Sequence, residues 1–319
     1  MRHGVALLGL AVLGGGCRHP EKPWQLPPAS GSRTLTLPLG PEYDTVVFVN
    51  LREGQTHKVD RRRWDLAFLP RQGAWEVRLN MALHAFAAEL SEEVWQTLRE
   101  PSPNLPWRCD LPDTPALAPL LPRHTRYLLL DRDRSQSVYR TPQQRYYKLQ
   151  IQWVGETLYL LAVGLQSTDT SRWTLSLANQ PLYVQLERPG QLAPILPSWP
   201  VELIAGRYIH PFYDQPEEFR WYSVVGVLLG DSARAAVVRE KAYENFMPAD
   251  TQGLNFSSKK DAIGYDWKAY DFNTGTYTID RGRFFVVRTD FFTYYKLRFV
   301  DFYDSQGRKG TIRMEYEPL

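Results

Sequence analysis

The C-terminal stretch YYKLRFVDFYDSQGRKGTIRMEYEP, residues 294–318, decides the fold. Near its end, Ile312, Met314 and Tyr316 alternate with polar residues, which gives an extended strand one apolar face. Residues 304–307, DSQG, have the composition of a turn between this strand and the aromatic run before it. The stretch therefore predicts an antiparallel hairpin.

Composition extends this prediction to the rest of the chain. The 319 residues include 10 Trp, 18 Tyr and 14 Phe, which favour strands, and 21 Gly and 24 Pro, which favour turns. The best helix candidate is 91–99, where Ser91 can cap the first turn and Glu92 and Glu93 suit the helix dipole. Seven prolines in 101–122 exclude regular helix there. We predict an all-β fold with little helix.

Self-similarity indicates two related units. Four short segments recur in the same order, two at an offset of 135 residues and two at an offset of 148, and YYKL recurs unchanged. These offsets imply one insertion of 13 residues. We predict two related antiparallel β domains, 34–177 and 178–319, arising from an internal repeat. The matched pairs are 47–51 with 182–186, 64–69 with 199–204, 138–141 with 286–289, and 146–149 with 294–297.

The N-terminus predicts export and lipid attachment. Residues 1–16 read as a signal peptide, because Arg2 is followed by a short apolar run over 5–13 and by small residues. Cleavage before Cys17 would leave that cysteine as the lipidated first residue, and 17–33 then forms a Pro- and Ser-rich tether. The alternative is ordinary cleavage into the periplasm, with Cys17 a free thiol.

Charge and motif content exclude several functions. The net charge is +3, too balanced for a nucleic-acid binder, so no nucleic-acid partner is expected. The sequence contains no GxSxG, HExxH, P-loop or dinucleotide glycine motif, and we therefore predict a binding protein rather than an enzyme. With Cys17 acylated, Cys109 has no disulfide partner and is expected to be a small buried residue.

Several segments carry a family resemblance. WDLAF from Trp64, followed by VRLN from Val77, resembles the early signature of the HmuY-like haem-binding lipoproteins. WKAYDF from Trp267, RFFVVRTD from Arg283 and the stretch 294–318 resemble that family's closing strands. The resemblance implies an all-β fold, attachment to the outer membrane facing the cell exterior, and transfer of haem to a TonB-dependent receptor.

The resemblance also implies two histidines as axial haem ligands. In the second unit, the position of one family histidine falls near Asp271 or Phe272, and no histidine lies beyond His210. The second unit is therefore expected to lack the ligand pair. Applying the offset of 148 backwards from Phe272 reaches His124, which makes that residue the haem-ligand candidate of the first unit.

His84 or Met81 is the candidate partner of His124. The alternatives are a structural histidine for His84, which lies in an apolar stretch, and a solvated histidine for His124, which lies in a Pro-rich loop. His210 is a weaker ligand candidate, with a turn or core role as its alternative.

Aromatic residues near the C-terminus form a second kind of candidate site. They could line a ligand groove, or they could pack in the core as strand residues. Two hypotheses follow: a family member that captures a ligand of unassigned identity for a receptor, and a haem carrier that uses the first unit's histidines. The candidate aromatic binding residues are Trp267, Tyr270, Phe272, Phe291 and Phe292.

Overall fold

The computed structural model describes residues 31–176, 180–290 and 292–319. Antiparallel strands dominate these residues, as the alternating apolar pattern predicts. The strands are β1 Arg33–Pro38, β2 Thr45–Asn50, β3 Gln55–Asp60, β4 Leu66–Arg71, β5 Ala74–Leu79, β6 Phe86–Leu90, β7 Arg108–Cys109, β8 Thr125–Asp131, β9 Tyr146–Val154, β10 Thr157–Gly164, β11 Thr170–Ser176, β12 Leu182–Val184, β13 Leu203–Pro211, β14 Trp221–Leu229, β15 Arg234–Val238, β16 Lys268–Asp271, β17 Thr276–Ile279, β18 Phe284–Arg288, β19 Tyr294–Tyr303 and β20 Lys309–Pro318.

Helices are short, which confirms the all-β prediction. The predicted helix near residue 91 forms as α1, and the hydroxyl of Ser91 accepts a hydrogen bond from the amide of Val94 at 3.3 Å. The α-helices are α1 Glu92–Thr97, α2 Pro142–Arg145 and α3 Glu217–Arg220, and the 3-10 helices are Arg61–Arg63, Met81–Leu83, Tyr243–Asn245 and Pro248–Gly253.

Strand pairing builds two lobes, each with two sheets around an apolar core. In lobe 1, the sheet β11-β10-β9-β8-β6-β7 and the smaller sheet β12-β4-β5 share one core. In lobe 2, the sheets β1-β20-β19-β18-β15 and β14-β13-β2-β3 share another. The hairpin β16–β17 extends from lobe 2.

The two lobes use the chain differently. Lobe 1 is the continuous run from β4 to β12, whereas lobe 2 joins β1, β2 and β3 from the N-terminus to the strands from β13 onward. In sheet position, β11 corresponds to β1 and β12 to β2. The predicted boundary at 177/178 therefore does not separate the cores, because β1, β2 and β3 of the first predicted domain lie in lobe 2 and β12 of the second lies in lobe 1.

Strand register corrects one of the sequence matches. Val49 of β2 pairs with Leu203 of β13, and the corresponding Val184 of β12 pairs with Leu66 of β4. The offset is 135 residues between β2 and β12 (184 − 49) but 137 between β4 and β13 (203 − 66). Alignment of Trp64 with Trp199 is therefore wrong by two residues, because strand partners, rather than a shared tryptophan, fix the equivalence.

The corrected register makes Asp65 and Glu202 equivalent. The Asp65 carboxylate accepts the amide of Leu186 at 2.7 Å, and the Glu202 carboxylate accepts the amide of Leu51 at 2.9 Å. Leu51 and Leu186 follow the equivalent strands β2 and β12 at equivalent positions (186 − 51 = 135). Each lobe therefore uses a buried carboxylate to hold this strand, β12 in lobe 1 and β2 in lobe 2.

Within the described ranges, the two carboxylates differ in that the one in lobe 1 is paired with an arginine. The Arg132 Nε and Nη2 atoms donate to the two oxygens of Asp65 at 2.7 and 3.1 Å, and both side chains are buried. Among the described residues Glu202 has no cationic partner, and its burial raises the pKa of its carboxyl group.

Of the two sequence matches at an offset of 148 residues, one joins equivalent strands and the other does not. The YYKL tetrapeptides begin β9 and β19, and the buried Lys148 and Lys296 donate to the carbonyls of Trp95 and Tyr243 at 2.9 and 2.8 Å. The two lysines are 148 residues apart in the chain, and so are the two residues whose carbonyls they bind. The match of 138–141 with 286–289 is wrong, because 138–141 lies in a loop whereas most of 286–289 lies in β18.

Replacing Asp65 with Asn tests the role of this ion pair. The substitution removes the buried counter-charge of Arg132 and leaves the half-exposed Glu187, 3.0 Å from its Nη1, as the remaining carboxylate partner, so we expect a loss of about 3 kcal/mol in the free energy of unfolding. Urea denaturation followed by circular dichroism measures it.

Glu53→Gln is the matched control, because Glu53 is paired with Arg52 on the surface, with the two side chains 60% and 61% exposed. It should change stability by less than about 1 kcal/mol. Equal effects of the two substitutions would contradict a special role for Asp65.

Candidate functional site

Several predicted features lie outside the described residues. These are the signal peptide 1–16, Cys17, all but the last residues of the tether 17–33, and Phe291. No helix in the described part of the chain is long and apolar enough to span a membrane. Cys109 is buried, as expected for a small core residue.

His84 has a structural position between the lobes. It ends the 3-10 helix Met81–Leu83 with a left-handed backbone (φ 61°), and its Nε2 donates to the carbonyl of Trp221 at 2.9 Å. Because a carbonyl only accepts hydrogen bonds, Nε2 carries the ring proton. Burial lowers the pKa of His84, so the ring is neutral near pH 7.

The structure does not bring His84 and His124 together. His124 is exposed and immediately precedes the first residue of β8, whereas the carbonyl of His84 accepts the amide of Arg134, beyond the other end of β8. Seven residues of strand span about 20 Å. The two imidazoles therefore cannot ligate one iron, and the predicted His84/His124 haem site is wrong.

The strand register explains this error. Leu130 of β8 pairs with Tyr147, and Val287 of β18 pairs with the equivalent Tyr295. The offset between β8 and β18 is thus 157 residues (287 − 130), so His124 is not equivalent to Phe272. Met81, the other predicted partner, packs in an apolar cluster with Phe86, Cys109, Ile209 and Trp221 rather than beside His124.

His210 lies among aromatic rings of lobe 2. Its ring centroid is 5.0 Å from that of Phe212 and 4.9 Å from that of Tyr265. Burial lowers the pKa of His210, and its Nδ1 is buried without a hydrogen-bond partner in the described part of the protein. In the described residues no group of three or more His, Cys, Asp or Glu side chains could hold a metal ion.

The predicted aromatic residues have different positions. Trp267 is 1% exposed and stacks on Phe299 with ring centroids 4.0 Å apart, so it belongs to the core and not to a binding surface. Tyr270 and Phe272 are exposed on the hairpin β16–β17. Phe292 is also exposed, but it precedes β19.

Phe292 and the hairpin lie at opposite ends of β19. The hairpin packs against the far end of this strand, where the hydroxyl of Tyr303 accepts the amide of Tyr277 at 2.6 Å. A ten-residue strand spans about 30 Å. The predicted grouping of Phe292 with Phe272 is therefore wrong.

Five exposed aromatic side chains instead gather on two hairpins of lobe 2, β13–β14 and β16–β17. Phe272, at the tip of β16–β17, is 89% exposed, and the others range from 41% to 74%. We call this set the aromatic hairpin surface. Its members are Tyr213, Phe219, Tyr222, Tyr270 and Phe272.

Backbone contacts place the two hairpins side by side. The amine of Lys268, at the start of β16, donates to the carbonyl of Val225 in β14. Val227 of β14 also pairs with Gly264, just before the second hairpin. A Cβ on Gly226 would lie 2.3 Å from the carbonyl oxygen of Gly264, so only glycine permits this close approach.

The sequence analysis missed three members of this surface, Tyr213, Phe219 and Tyr222. They occur in HPFYDQPEEFRWYS, residues 210–223, where two prolines and a run of acidic residues indicate a turn. Aromatic residues in such a turn are expected to be exposed, so the sequence alone could have indicated these three residues. It could not have indicated that the hairpin β16–β17 lies beside the hairpin β13–β14.

Comparison with known proteins identifies a single family. The family model described as HmuY protein matches residues 42–316. Among solved structures, apo PinO from Porphyromonas gingivitis is 9% identical, with 90% of this chain and 97% of that chain covered and a TM-score of 0.28. The apo HmuY analog from Tannerella forsythia (TFO) is 10% identical, with 90% and 95% covered and a TM-score of 0.25. No curated protein matches the chain.

Replacing His84 with Ala tests its structural role. The carbonyl of Trp221 loses its donor, and we expect a loss of about 1–2 kcal/mol in the free energy of unfolding at pH 7.5. His124→Ala, at an exposed position, is the matched control and should cost less than about 0.5 kcal/mol.

The pH dependence gives a second readout. Because the pKa of His84 is lower in the folded protein than in the unfolded chain, the unfolded chain binds the extra proton below about pH 6.5. Stability of the native protein therefore falls as pH decreases through that range. The His84→Ala variant should lose this part of the pH dependence, and an unchanged pH profile would contradict the assignment.

Proposed function

The chain belongs to the HmuY family, and from that premise we propose that it is an outer-membrane-anchored binding lipoprotein that captures a flat, largely apolar ligand on the aromatic hairpin surface and delivers it to a TonB-dependent receptor. Family membership supports a binding role. The exposure of five aromatic rings on two adjacent hairpins carries the proposal.

Five exposed aromatic rings on two adjacent hairpins indicate a ligand-binding surface. Single apolar residues are common on protein surfaces, but a contiguous set usually marks a binding site. Phe272 and Tyr270 have ring centroids 5.1 Å apart with their planes perpendicular, and Tyr270 and Tyr277 are 4.9 Å apart. Rings held by such neighbours can stack on a flat ligand without large side-chain rearrangement.

The predicted pair His84 and His124 does not fit ligation of one haem iron by two imidazoles, because the two residues lie at opposite ends of β8. Binding is therefore assigned to stacking. A second candidate is haem binding with His210 as a single ligand, favoured by one observation: this neutral imidazole lies among the rings beneath the surface and its Nδ1 has no hydrogen-bond partner in the described part of the chain.

The anchor and the receptor complete the proposal. Acylation of Cys17 would hold the protein at the outer membrane, with the Pro- and Ser-rich segment 17–33 as a flexible spacer. The folded lobes would then face the cell exterior, where the hairpins can meet both ligand and receptor.

Metal-free protoporphyrin IX and haem together test stacking against ligation. If stacking dominates, both bind with affinities within about threefold, since the porphyrin faces are alike. Replacing Tyr222 and Phe272 with Ala should weaken both by roughly tenfold or more, because each ring contributes about 0.5–1.5 kcal/mol beyond its buried area. Fluorescence quenching and absorbance titrations measure this.

The matched control is Phe292→Ala, which removes an equally exposed ring at the other end of β19 and should leave both affinities unchanged. Tight haem binding with weak protoporphyrin binding, lost in His210→Ala, would instead favour the second candidate. Absence of binding by either compound would exclude a tetrapyrrole ligand.

Lipid anchoring is tested by Cys17→Ser. The full-length protein should sediment with the outer membrane and enter the detergent phase of Triton X-114, whereas the variant should enter the aqueous phase, because it lacks the acceptor thiol. Equal partitioning of the two proteins would contradict the proposed anchor.

A further inference from the structure

A second concave site lies on lobe 1, away from the aromatic hairpin surface. It is a cavity of about 330 Å³ between the Pro-rich segment after α1 and the facing ends of β8 and β9. Its apolar lining comes from Pro101 and Pro103 and from the rings of Trp107 and Tyr146. This volume lies in the range of small-molecule sites.

The walls are held in place by contacts within the segment. The indole Nε1 of Trp107 donates to the carbonyl of Ser102 at 3.0 Å, which closes the Pro-rich segment on itself. The rings of Trp107 and Tyr146 have centroids 6.4 Å apart. Two prolines with fixed φ angles further limit the motion of this wall.

The interior of the cavity contains a neutralised ion pair. Arg145 donates to the two oxygens of the buried Asp131 at 3.0 and 2.5 Å. The carboxylate also accepts the amide of Asp133 at 3.2 Å. Asp131 is therefore satisfied inside the protein and does not need a ligand cation.

Arg134 brings to the cavity a guanidinium whose hydrogen bonds are open to a ligand. Its guanidinium carbon lies 4.8 Å from the ring centroid of Phe86 and 5.7 Å from that of Trp107, which fixes its position by cation–π contacts. Its side chain has no carboxylate partner in the described ranges. Asp131 is paired with Arg145, and the buried Asp133 accepts hydrogen bonds from Ser135 and from the amides of Val138 and Tyr139, so neither carboxylate is bonded to Arg134.

We propose that this cavity binds a small planar carboxylate, with its apolar body against the rings of Trp107 and Tyr146 and its carboxylate on Arg134. The planar guanidinium matches a carboxylate with two parallel hydrogen bonds. A neutral ligand would forfeit the charged contact. The site uses no residue of the aromatic hairpin surface and is independent of the tetrapyrrole proposal.

The test uses 2-naphthoate as the probe and 2-naphthamide as its neutral counterpart. Isothermal titration calorimetry of the soluble protein from residue 18 onward should give one naphthoate site, with a dissociation constant on the order of 0.1 mM from typical ligand efficiencies. The amide should bind at least tenfold more weakly, because it cannot accept charge-assisted hydrogen bonds.

Substitution of the arginine locates the site. Arg134→Gln should weaken naphthoate binding at least tenfold, and Arg134→Lys, which keeps the charge but not the planar fork, should recover part of the affinity. The matched control Arg172→Gln removes an exposed arginine from the edge strand β11 of the same lobe and should leave the affinity unchanged.

Three results would overturn the proposal: no saturable naphthoate binding up to 10 mM (about a hundred times the expected dissociation constant), equal binding of naphthoate and naphthamide, or an affinity that Arg134→Gln does not change. Because Arg134 is exposed, the variant should fold, and its thermal melting temperature provides the check.

Discussion

The buried carboxylates that hold the closing strands β12 and β2 are the constraint on which the architecture depends. Asp65 accepts the amide of Leu186, after β12, and Glu202 accepts the amide of Leu51, after β2, so the N-terminal strand β2 is held in lobe 2 by the same contact that closes lobe 1. A buried carboxylate left without these amides would be costly. Docking of these strands and burial of the carboxylates therefore stabilise one another, and the extra Arg132 contact makes lobe 1 the more polar of the two junctions.

Much of this fold could be predicted from local patterns. The alternation in residues 309–318, the turn before it and the recurrence of YYKL all correspond to strands of the structure. The position of β1, β2 and β3 in lobe 2 could not be predicted, because a repeat in sequence says which strands are alike but not which lobe each one joins. The error of two residues at Trp64 has the same origin, since register is set by backbone pairing with β2 and β12.

The candidate sites show a similar limit. Trp267 and Phe272 are five residues apart with the same aromatic character, yet one stacks in the core and the other is 89% exposed. The exposure of these two residues differs because the hairpin β16–β17 extends from lobe 2 between them. The point at which it extends is set by tertiary packing and not by the local sequence. The histidine candidates failed for the same reason, because a constant offset does not hold across segments of unequal length.

The pairing of N-terminal with C-terminal strands in lobe 2 also affects how the protein folds during biosynthesis. The edge strand β1 pairs with β20, so nearly the whole chain separates the two partners and β1 has no strand to pair with in its sheet until synthesis is almost complete. Pairing over such a long sequence separation is slow, because the entropy of closing the loop is lost before the contacts form. A chain that cannot complete its fold early stays extended for longer, which is the state that a secretion channel accepts.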